Sequence, residues 1–206
     1  MKKHLIFDFE TMGTDINSCA VIDCSVLVFD WDRFQSDNPY SLADVTDCKK
    51  IKLDVRRQVQ EHNFTIDPNT LEWWGKQSKD VRKNISPKPD DVSVSEFCDQ
   101  FMDIVIPHGK ITRWWARSNT FDPIILWRLF ETAGKLPKVH EYLPHYFLRD
   151  TRTWIDAKLN FPKKNGFTPM ENQEEWDKQF KAHDSSWDIL ADVLRMQLID
   201  RVEFLD

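Results

Sequence analysis

Two carboxylates stand two positions apart in an apolar segment close to the N-terminus. Asp8 and Glu10 flank Phe9, and residues 4–9 are predicted to form a short buried strand. Alternate side chains of a strand share a face, so both carboxylates point the same way, with their Cα atoms about 7 Å apart. Two acids on one face of a buried strand are costly unless a cation neutralises them, and Mg²⁺ or Mn²⁺ takes oxygen ligands of this kind. The pair leaves two interpretations open: a divalent-metal site, or a solvated pair at the edge of a strand.

Three other residues of chemical interest lie far along the chain. Asp122 falls at a predicted strand-to-helix junction, directly before Pro123, where its ordinary role is that of an N-cap. Asp188 lies one turn into the last predicted helix, where the helix dipole favours an anion. His183 stands five residues earlier, in the segment that leads to that helix. Each position has a structural explanation of its own, so none of them identifies a function alone.

Taken together, these residues match a known pattern. Three motifs resemble those of the DEDDh (DnaQ-like) 3′–5′ exonucleases: Asp8-Phe9-Glu10-Thr11-Met12-Gly13, then Ser118-Asn119-Thr120-Phe121-Asp122, then His183 with Asp188 five positions on. The motifs stand in the family's order, and the resemblance covers the whole chain. Leu71-Glu72-Trp73-Trp74 and Arg149-Asp150-Thr151-Arg152-Thr153 look like a narrower branch, that of phage exonuclease A and related bacterial 3′–5′ exoribonucleases. Met12 and Ser118 depart from the pattern, since many members have Thr and Asn there.

The resemblance implies a fold, a reaction and a cofactor. The implied fold is α/β and RNase H-like, with a mixed central β-sheet flanked by helices. The implied reaction is hydrolysis of phosphodiester bonds from the 3′ end of single-stranded DNA or RNA, which releases nucleoside 5′-monophosphates. His183 would act as the general base, and four carboxylates would hold two ions of Mg²⁺ or Mn²⁺: Asp8, Glu10, Asp122 and Asp188. The chemistry suits these residue types, because two metals can clamp the attacking and leaving oxygens while a histidine takes the proton of the water.

Aromatic and polar residues close to the motifs are candidates for contacts with the substrate. Trp114 and Trp115 are adjacent in a predicted strand and face opposite sides, so one belongs to the core and the other can stack on a base. Phe9 points away from the two acids beside it and is predicted to be core. We predict six substrate contacts in all: Thr11, Met12, Trp74, Trp115, Arg117 and Asn119.

One stretch of the chain is basic although the protein as a whole is acidic. Residues 110–164 contain 11 basic and 5 acidic residues, whereas the formal net charge of the chain is −6. Local potential matters more than net charge for guiding a polyanion, although a solvated surface also explains the stretch. Arg152 can also pair with Asp156, four residues on. The candidates for phosphate contacts are Arg117, Arg149, Arg152, Lys163 and Lys164.

Composition excludes several other classes of protein. A hydrophobic content of 41% with 30% charged residues is typical of a globular protein rather than a disordered one. With five glycines, the chain contains neither of the phosphate-binding strings of Rossmann and Walker type. The four cysteines are predicted to be reduced thiols, and neither a signal peptide nor a membrane span is predicted. We therefore expect a cytoplasmic protein (host cytoplasm if it comes from a phage) without membrane contact, whether monomer or homodimer.

The predicted elements describe one α/β domain over residues 1–206. The predicted strands are residues 4–9, 19–31, 51–53, 110–117 and 145–148, with a long hairpin excursion over residues 32–50. The predicted helices begin at Asp67-Pro68, at Ser93 and at Asp122-Pro123, and two more cover residues 151–159 and 185–202. Residues 160–170 are predicted to be a mobile loop.

Two alternatives to an active exonuclease remain at the level of sequence. One is a catalytically inactive, nuclease-like module that binds nucleic acid or a polymerase, and it predicts a broken motif. All five motif positions (Asp8, Glu10, Asp122, His183 and Asp188) are intact. The other is a structural domain whose acids only increase solubility, and it leaves two carboxylates on a buried strand unexplained.

Overall fold

A mixed five-stranded sheet forms the centre of the computed structural model, which describes residues 2–160 and 166–203. The strands are β1 (Lys3–Thr11), β2 (Val21–Asp30), β3 (Lys49–Lys52), β4 (Arg113–Ala116) and β5 (Leu148–Asp150). Their order is β3-β2-β1-β4-β5, in which β1 pairs antiparallel with β2 and parallel with β4. The outer pairs are antiparallel for β2 with β3 and parallel for β4 with β5. The predicted mixed α/β architecture is confirmed.

Helices cover both faces of this sheet. The described residues form α1 (Val55–His62), α2 (Pro68–Gly75), α3 (Lys79–Ile85), α4 (Val94–Val105), α5 (Asp122–Thr132), α6 (Leu136–Tyr142), α7 (Thr151–Lys158), α8 (Gln173–Gln179) and α9 (Ser185–Glu203). Helix α4 begins where predicted, at a capping box in which Ser93 and Glu96 each satisfy the other's backbone amide. Among the described helices, none combines the length and apolar character that a membrane span requires.

Alternation along β1 decides which face of the sheet carries the acids. Phe9 is 5% exposed and packs against Phe97 of α4, with ring centroids 5.9 Å apart, so the prediction that Phe9 is core is confirmed. Ile6 points to the other face and belongs to a second cluster that contains Val193 of α9. Side chains at even positions of β1 therefore face α9. The strand's two carboxylates lie on this α9 face, near its C-terminal end.

Several predicted boundaries are wrong. The long hairpin excursion predicted over residues 32–50 is confirmed, since β2 and β3 pair antiparallel, but β3 already begins at Lys49, and the excursion contains two short 3₁₀-helices, Trp31–Gln35 and Leu42–Asp47. Asp30 starts the first by accepting a hydrogen bond from Asp32, and such side-chain caps compete with strand pairing. His145–Phe147 is also a 3₁₀-helix, because the ladder with β4 begins only at Leu148. Residues 161–165 of the predicted loop, including Lys163 and Lys164, lie outside the described residues. The four cysteines are free thiols, as predicted.

Candidate active site

Three of the predicted carboxylates converge where β1 passes the start of α9. Asp8 and Glu10 come from the α9 face of β1, and Asp188 comes from the first turn of α9. One oxygen from each of the three lies within 4.8 Å of the others. This proximity follows from the packing of α9 across β1, which brings residues 180 positions apart in sequence onto one site.

The fourth carboxylate, Asp122, joins the group from a different direction. Asp122 is the first residue of α5, and Phe121 occupies the N-cap position, so the predicted N-cap role of Asp122 is wrong. Its Oδ1 atom accepts a hydrogen bond of 3.2 Å from the backbone amide of Phe9, and the residue is 4% exposed. The carboxylate is therefore directed at the backbone of β1 next to Asp8.

Burial and mutual repulsion dominate the electrostatics of this group. Burial, and then the charges of Asp122 and Glu10, raise the pKa of Asp8 well above its usual range. Burial, and then the charges of Asp23 and Asp188, raise the pKa of Glu10 to about 9. Burial also raises the pKa values of Asp122 and Asp188 to about 7. The fold therefore holds four acids where their ionisation is unfavourable, an arrangement that a bound cation stabilises.

This arrangement predicts a metal-dependent stability. Because these folded-state pKa values lie above the unfolded ones, ionisation of the acids costs folding free energy as the pH rises. With EDTA, the Tm is expected to fall between about pH 7 and about pH 8.5, a window above the ordinary pKa of the buried His4 and below that of the thiols. Excess Mg²⁺ should remove most of this fall, because it favours the ionised acids. A Tm in EDTA that does not change across this window, measured by circular dichroism, would contradict the prediction.

His183 lies in the short segment between α8 and α9, against a tryptophan of α2. Its backbone is left-handed, with a φ of 60°, and burial lowers the pKa of its imidazole below 6.5. The ring stands nearly perpendicular to that of Trp73, with centroids 4.8 Å apart. Trp73 is itself 42% exposed, so it lies at the rim of the site. The contact restricts the orientation of the imidazole.

The residue after His183 fixes this segment to the sheet. Asp184 accepts hydrogen bonds from the Ser186 amide at 3.1 Å and from Lys50 Nζ at 2.6 Å. Asn84 of α3 adds a further bond of 3.4 Å to the same carboxylate. Lys50 belongs to β3, so the backbone that carries His183 is connected to an edge strand, to α3 and to the start of α9.

The four carboxylates and His183 line one open cleft with a volume of about 590 Å³. Its other polar lining residues are Arg117, Ser118, Arg152, Asp192 and Arg195. Arg117 lies in the cleft, and its contact with the substrate stays a prediction. Thr11, at the end of β1, donates its hydroxyl to the carbonyl of Gly13 at 2.7 Å. Asn119 is exposed, and its amide donates to Asp150 at 3.0 Å.

The other three predicted substrate contacts are wrong, because their side chains are buried. Met12 is 8% exposed and belongs to the core beneath α4 and α5. Trp74 is 3% exposed and donates its indole N–H to the carbonyl of Thr11, while its neighbour Trp73 faces out. Trp115 is 3% exposed and donates to His4 Nδ1 at 3.1 Å. Trp114 and Trp115 of β4 are both core, because α9, α7 and neighbouring aromatic residues also cover the face of the sheet on which Trp115 lies.

Sequence reasoning missed two residues of this cleft, Asp192 and Arg195. Asp192 follows Asp188 by four positions, a spacing that places both acids on one face of α9. That spacing was a usable signal in the sequence. The predicted pair of Arg152 with Asp156 is wrong, since Asp156 instead accepts a hydrogen bond from the amide of Gly166.

Comparisons with known proteins identify the family of this chain. The family described as the 3′–5′ exoribonuclease Rv2179c-like domain matches residues 3–187. The exodeoxyribonuclease of enterobacteria phage T4 is 34% identical over 209 residues, which cover 93% of this chain and 86% of the phage protein.

Solved structures of exonuclease I share the fold. The Escherichia coli enzyme in complex with single-stranded DNA gives a TM-score of 0.61 at 14% identity, over 98% of this chain and 41% of that one. The enzyme from Methylocaldum szegediense gives 0.64 at 14% identity, over the same shares of the two chains. This chain therefore spans about two-fifths of the length of these enzymes, and the fold is RNase H-like, as predicted. The family match and the phage relative show that the chain belongs to the family of the 3′–5′ exoribonuclease Rv2179c-like domain and is a 3′–5′ exonuclease, as its motifs indicated.

Proposed function

We propose that this exonuclease acts on single-stranded nucleic acid with two divalent cations and with His183 as the general base. The observation that carries the proposal is that four carboxylates and one imidazole, from three distant segments, line the same cleft. A purely structural role does not account for the acids, because buried like charges destabilise a fold. Asp8, Glu10, Asp122 and Asp188 would hold Mg²⁺ or Mn²⁺, since both ions prefer carboxylate oxygens. When bound, two such ions stabilise charge on the attacking and leaving oxygens.

The protein's own part in the reaction is proton transfer and positioning. Because burial lowers the pKa of His183, its imidazole is neutral at pH 7 and can accept a proton from the attacking water. The resulting hydroxide adds to phosphorus, and the bond from phosphorus to the 3′ oxygen of the preceding nucleotide breaks. That oxygen takes up a proton, and a nucleoside 5′-monophosphate leaves. Trp73 holds the imidazole at the rim of the cleft while this occurs.

The size of the cleft and the relatives support a single-stranded substrate. A cleft of about 590 Å³ has the dimensions of a small-ligand site, which suits a terminal nucleotide separated from any partner strand. The phage T4 relative is an exodeoxyribonuclease, the family name refers to RNA, and the E. coli structure contains single-stranded DNA. We propose that strands with either sugar enter the site. The similarity to a phage protein supports a role in the cytoplasm of a bacterial host.

Digestion of matched oligonucleotides tests this proposal. DNA and RNA oligomers of one sequence, labelled at the 3′ or the 5′ end, are incubated with the protein and Mg²⁺, with and without EDTA. We expect labelled mononucleotide from the 3′-labelled strands at once, a ladder of shortening products from the 5′-labelled strands, and no reaction in EDTA. Binding without any cleavage would instead support the inactive module, and mononucleotide released first from the 5′ end would reverse the proposed polarity.

A further inference from the structure

Three guanidinium groups line the cleft beside the carboxylates. They belong to Arg117, which follows β4, to Arg152 in α7 and to Arg195 in α9, and we call them the arginine wall. Holding three cations on one surface of a cleft costs folding free energy, because like charges repel. The structure therefore needs groups that hold these side chains together.

Asp192 is the first such group. Its Oδ1 atom accepts hydrogen bonds from Arg117 at 2.5 Å and from Arg195 at 3.3 Å, and its Oδ2 atom accepts one from the hydroxyl of Thr151. The residue is 1% exposed. Asp192 follows Asp188 by one turn of α9, but among the described residues the carboxylates close enough to share a metal ion are Asp8, Glu10 and Asp188. The position of Asp192 instead fixes two guanidinium groups with respect to each other.

The backbone of residues 166–168 supports the wall from the other side. Arg117 donates to the carbonyl of Gly166 at 3.0 Å, and Arg195 donates to that of Thr168 at 3.3 Å. Gly166 has a φ of 59°, and a Cβ atom there would lie 2.7 Å from the Cα atom of Arg152. Only glycine permits both the left-handed backbone and this close approach. The segment therefore packs directly on the stem of Arg152 and limits the directions that its guanidinium can take.

One member of the wall, Arg152, retains unused hydrogen-bond donors. Arg117 and Arg195 share the carboxylate of Asp192, whereas within residues 2–160 and 166–203 the guanidinium of Arg152, which lies near the charge of Asp122, makes neither a salt bridge nor a hydrogen bond. A guanidinium presents N–H groups in a planar fork that matches the oxygens of a phosphate. We propose that the arginine wall binds a backbone phosphate of the substrate strand other than the scissile one. Arg152 makes the direct contact, while Asp192 holds Arg117 and Arg195 beside it. This inference rests on the proposed function.

The first test compares two arginine variants with the same loss of charge. Arg152→Gln should raise the KM for an oligothymidylate by about tenfold, the effect of a charge-assisted hydrogen bond, with kcat little changed. The dependence of log kcat/KM on log salt concentration should become less steep by about 0.7, which corresponds to one phosphate contact on a single strand. Arg152→Lys should retain most of that salt dependence. Arg56→Gln, at an exposed position of α1 outside the cleft, should change neither quantity. Thermal melts of each variant show that it is folded.

The second test identifies the phosphate itself. Oligothymidylates that carry one uncharged methylphosphonate at successive linkages from the 3′ end are digested by the wild-type protein and by Arg152→Gln. At the contacted linkage the wild-type KM should rise about tenfold, while the variant should show no further increase there. The proposal would be overturned if the increase in KM caused by Arg152→Gln and the increase caused by the methylphosphonate were additive at every linkage. An unchanged KM and salt dependence in Arg152→Gln when the wild-type protein cleaves would also overturn it, whereas absence of cleavage by the wild-type protein would refute the proposed function instead.

Discussion

Replacing Asp8 by asparagine is expected to abolish cleavage and, at the same time, to stabilise the metal-free protein. The substitution removes a carboxylate from the group that would hold the cations, so the rate should fall by more than about 10³-fold, or ~4 kcal/mol in the activation barrier. It also removes a charge that Asp122 and Glu10 repel, since these neighbours and burial raise the pKa of Asp8 well above its usual range. In EDTA near pH 8 the Tm should therefore rise by a few degrees, about what 1 kcal/mol produces in a domain of this size.

The combination of the two effects distinguishes a functional acid from a structural one. The steady-state rate with Mg²⁺ and the Tm in EDTA are measured on the same preparations. Asp37→Asn serves as the control, because it removes the same charge from an exposed position between β2 and β3, and it should alter neither quantity. An Asp8→Asn protein that melts well below the wild type, or that retains its activity, would show that this carboxylate supports the fold and not the chemistry.

Replacing His183 by alanine is expected to lower kcat by roughly 10²–10⁴-fold, the usual contribution of a general base, with little change in KM. Because burial lowers the pKa of His183, the acid side of the wild-type rate profile should fall off below pH 6.5, when the imidazole becomes protonated. The variant should lack this limb and should recover part of its rate at high pH, where hydroxide replaces the activated water.

Metal binding separates this effect from a loss of the site. The increase in Tm on addition of Mg²⁺ should be the same in His183→Ala as in the wild type, because the imidazole is not one of the four proposed ligands. His145→Ala, at an exposed histidine next to β5, is the matched control and should keep the wild-type kcat. An unchanged kcat at pH 7 in His183→Ala would rule out the histidine as the base.

The alternation of side chains along a strand was sufficient to predict the direction of the acids of β1. A strand places alternate side chains on one face, so Asp8 and Glu10 had to point the same way, and Phe9 had to point to the opposite face. The buried Phe9 and the shared site of Asp8, Glu10 and Asp188 follow that expectation. A local signal also predicted the start of α4, because its capping box is a sequence motif of Ser93 and Glu96.

The same rule failed for the tryptophans, for a physical reason. Alternation states that Trp114 and Trp115 face opposite sides of β4, but it does not state whether either side is open to solvent. Helix α9 and neighbouring aromatic rings cover the face of Trp115, so both rings are buried. In α2 the choice between Trp73 and Trp74 was decided in a similar way, by the contact that Trp74 makes with the end of β1.

Side-chain type and spacing were thus enough to predict the family, the mixed sheet and the residues that carry the motifs, because these depend on local geometry and on residue identity. Other features of the site depend on contacts between residues that are far apart in the chain. Asp122 lies 114 positions from Asp8, His183 lies 110 positions from Trp73, and Asp192 lies 75 positions from Arg117. The link between Asp192 and Arg195 is the short exception. Such contacts are selected by the packing of the whole chain, since many pairings of acids and arginines are compatible with one sequence while only one set fits around the sheet.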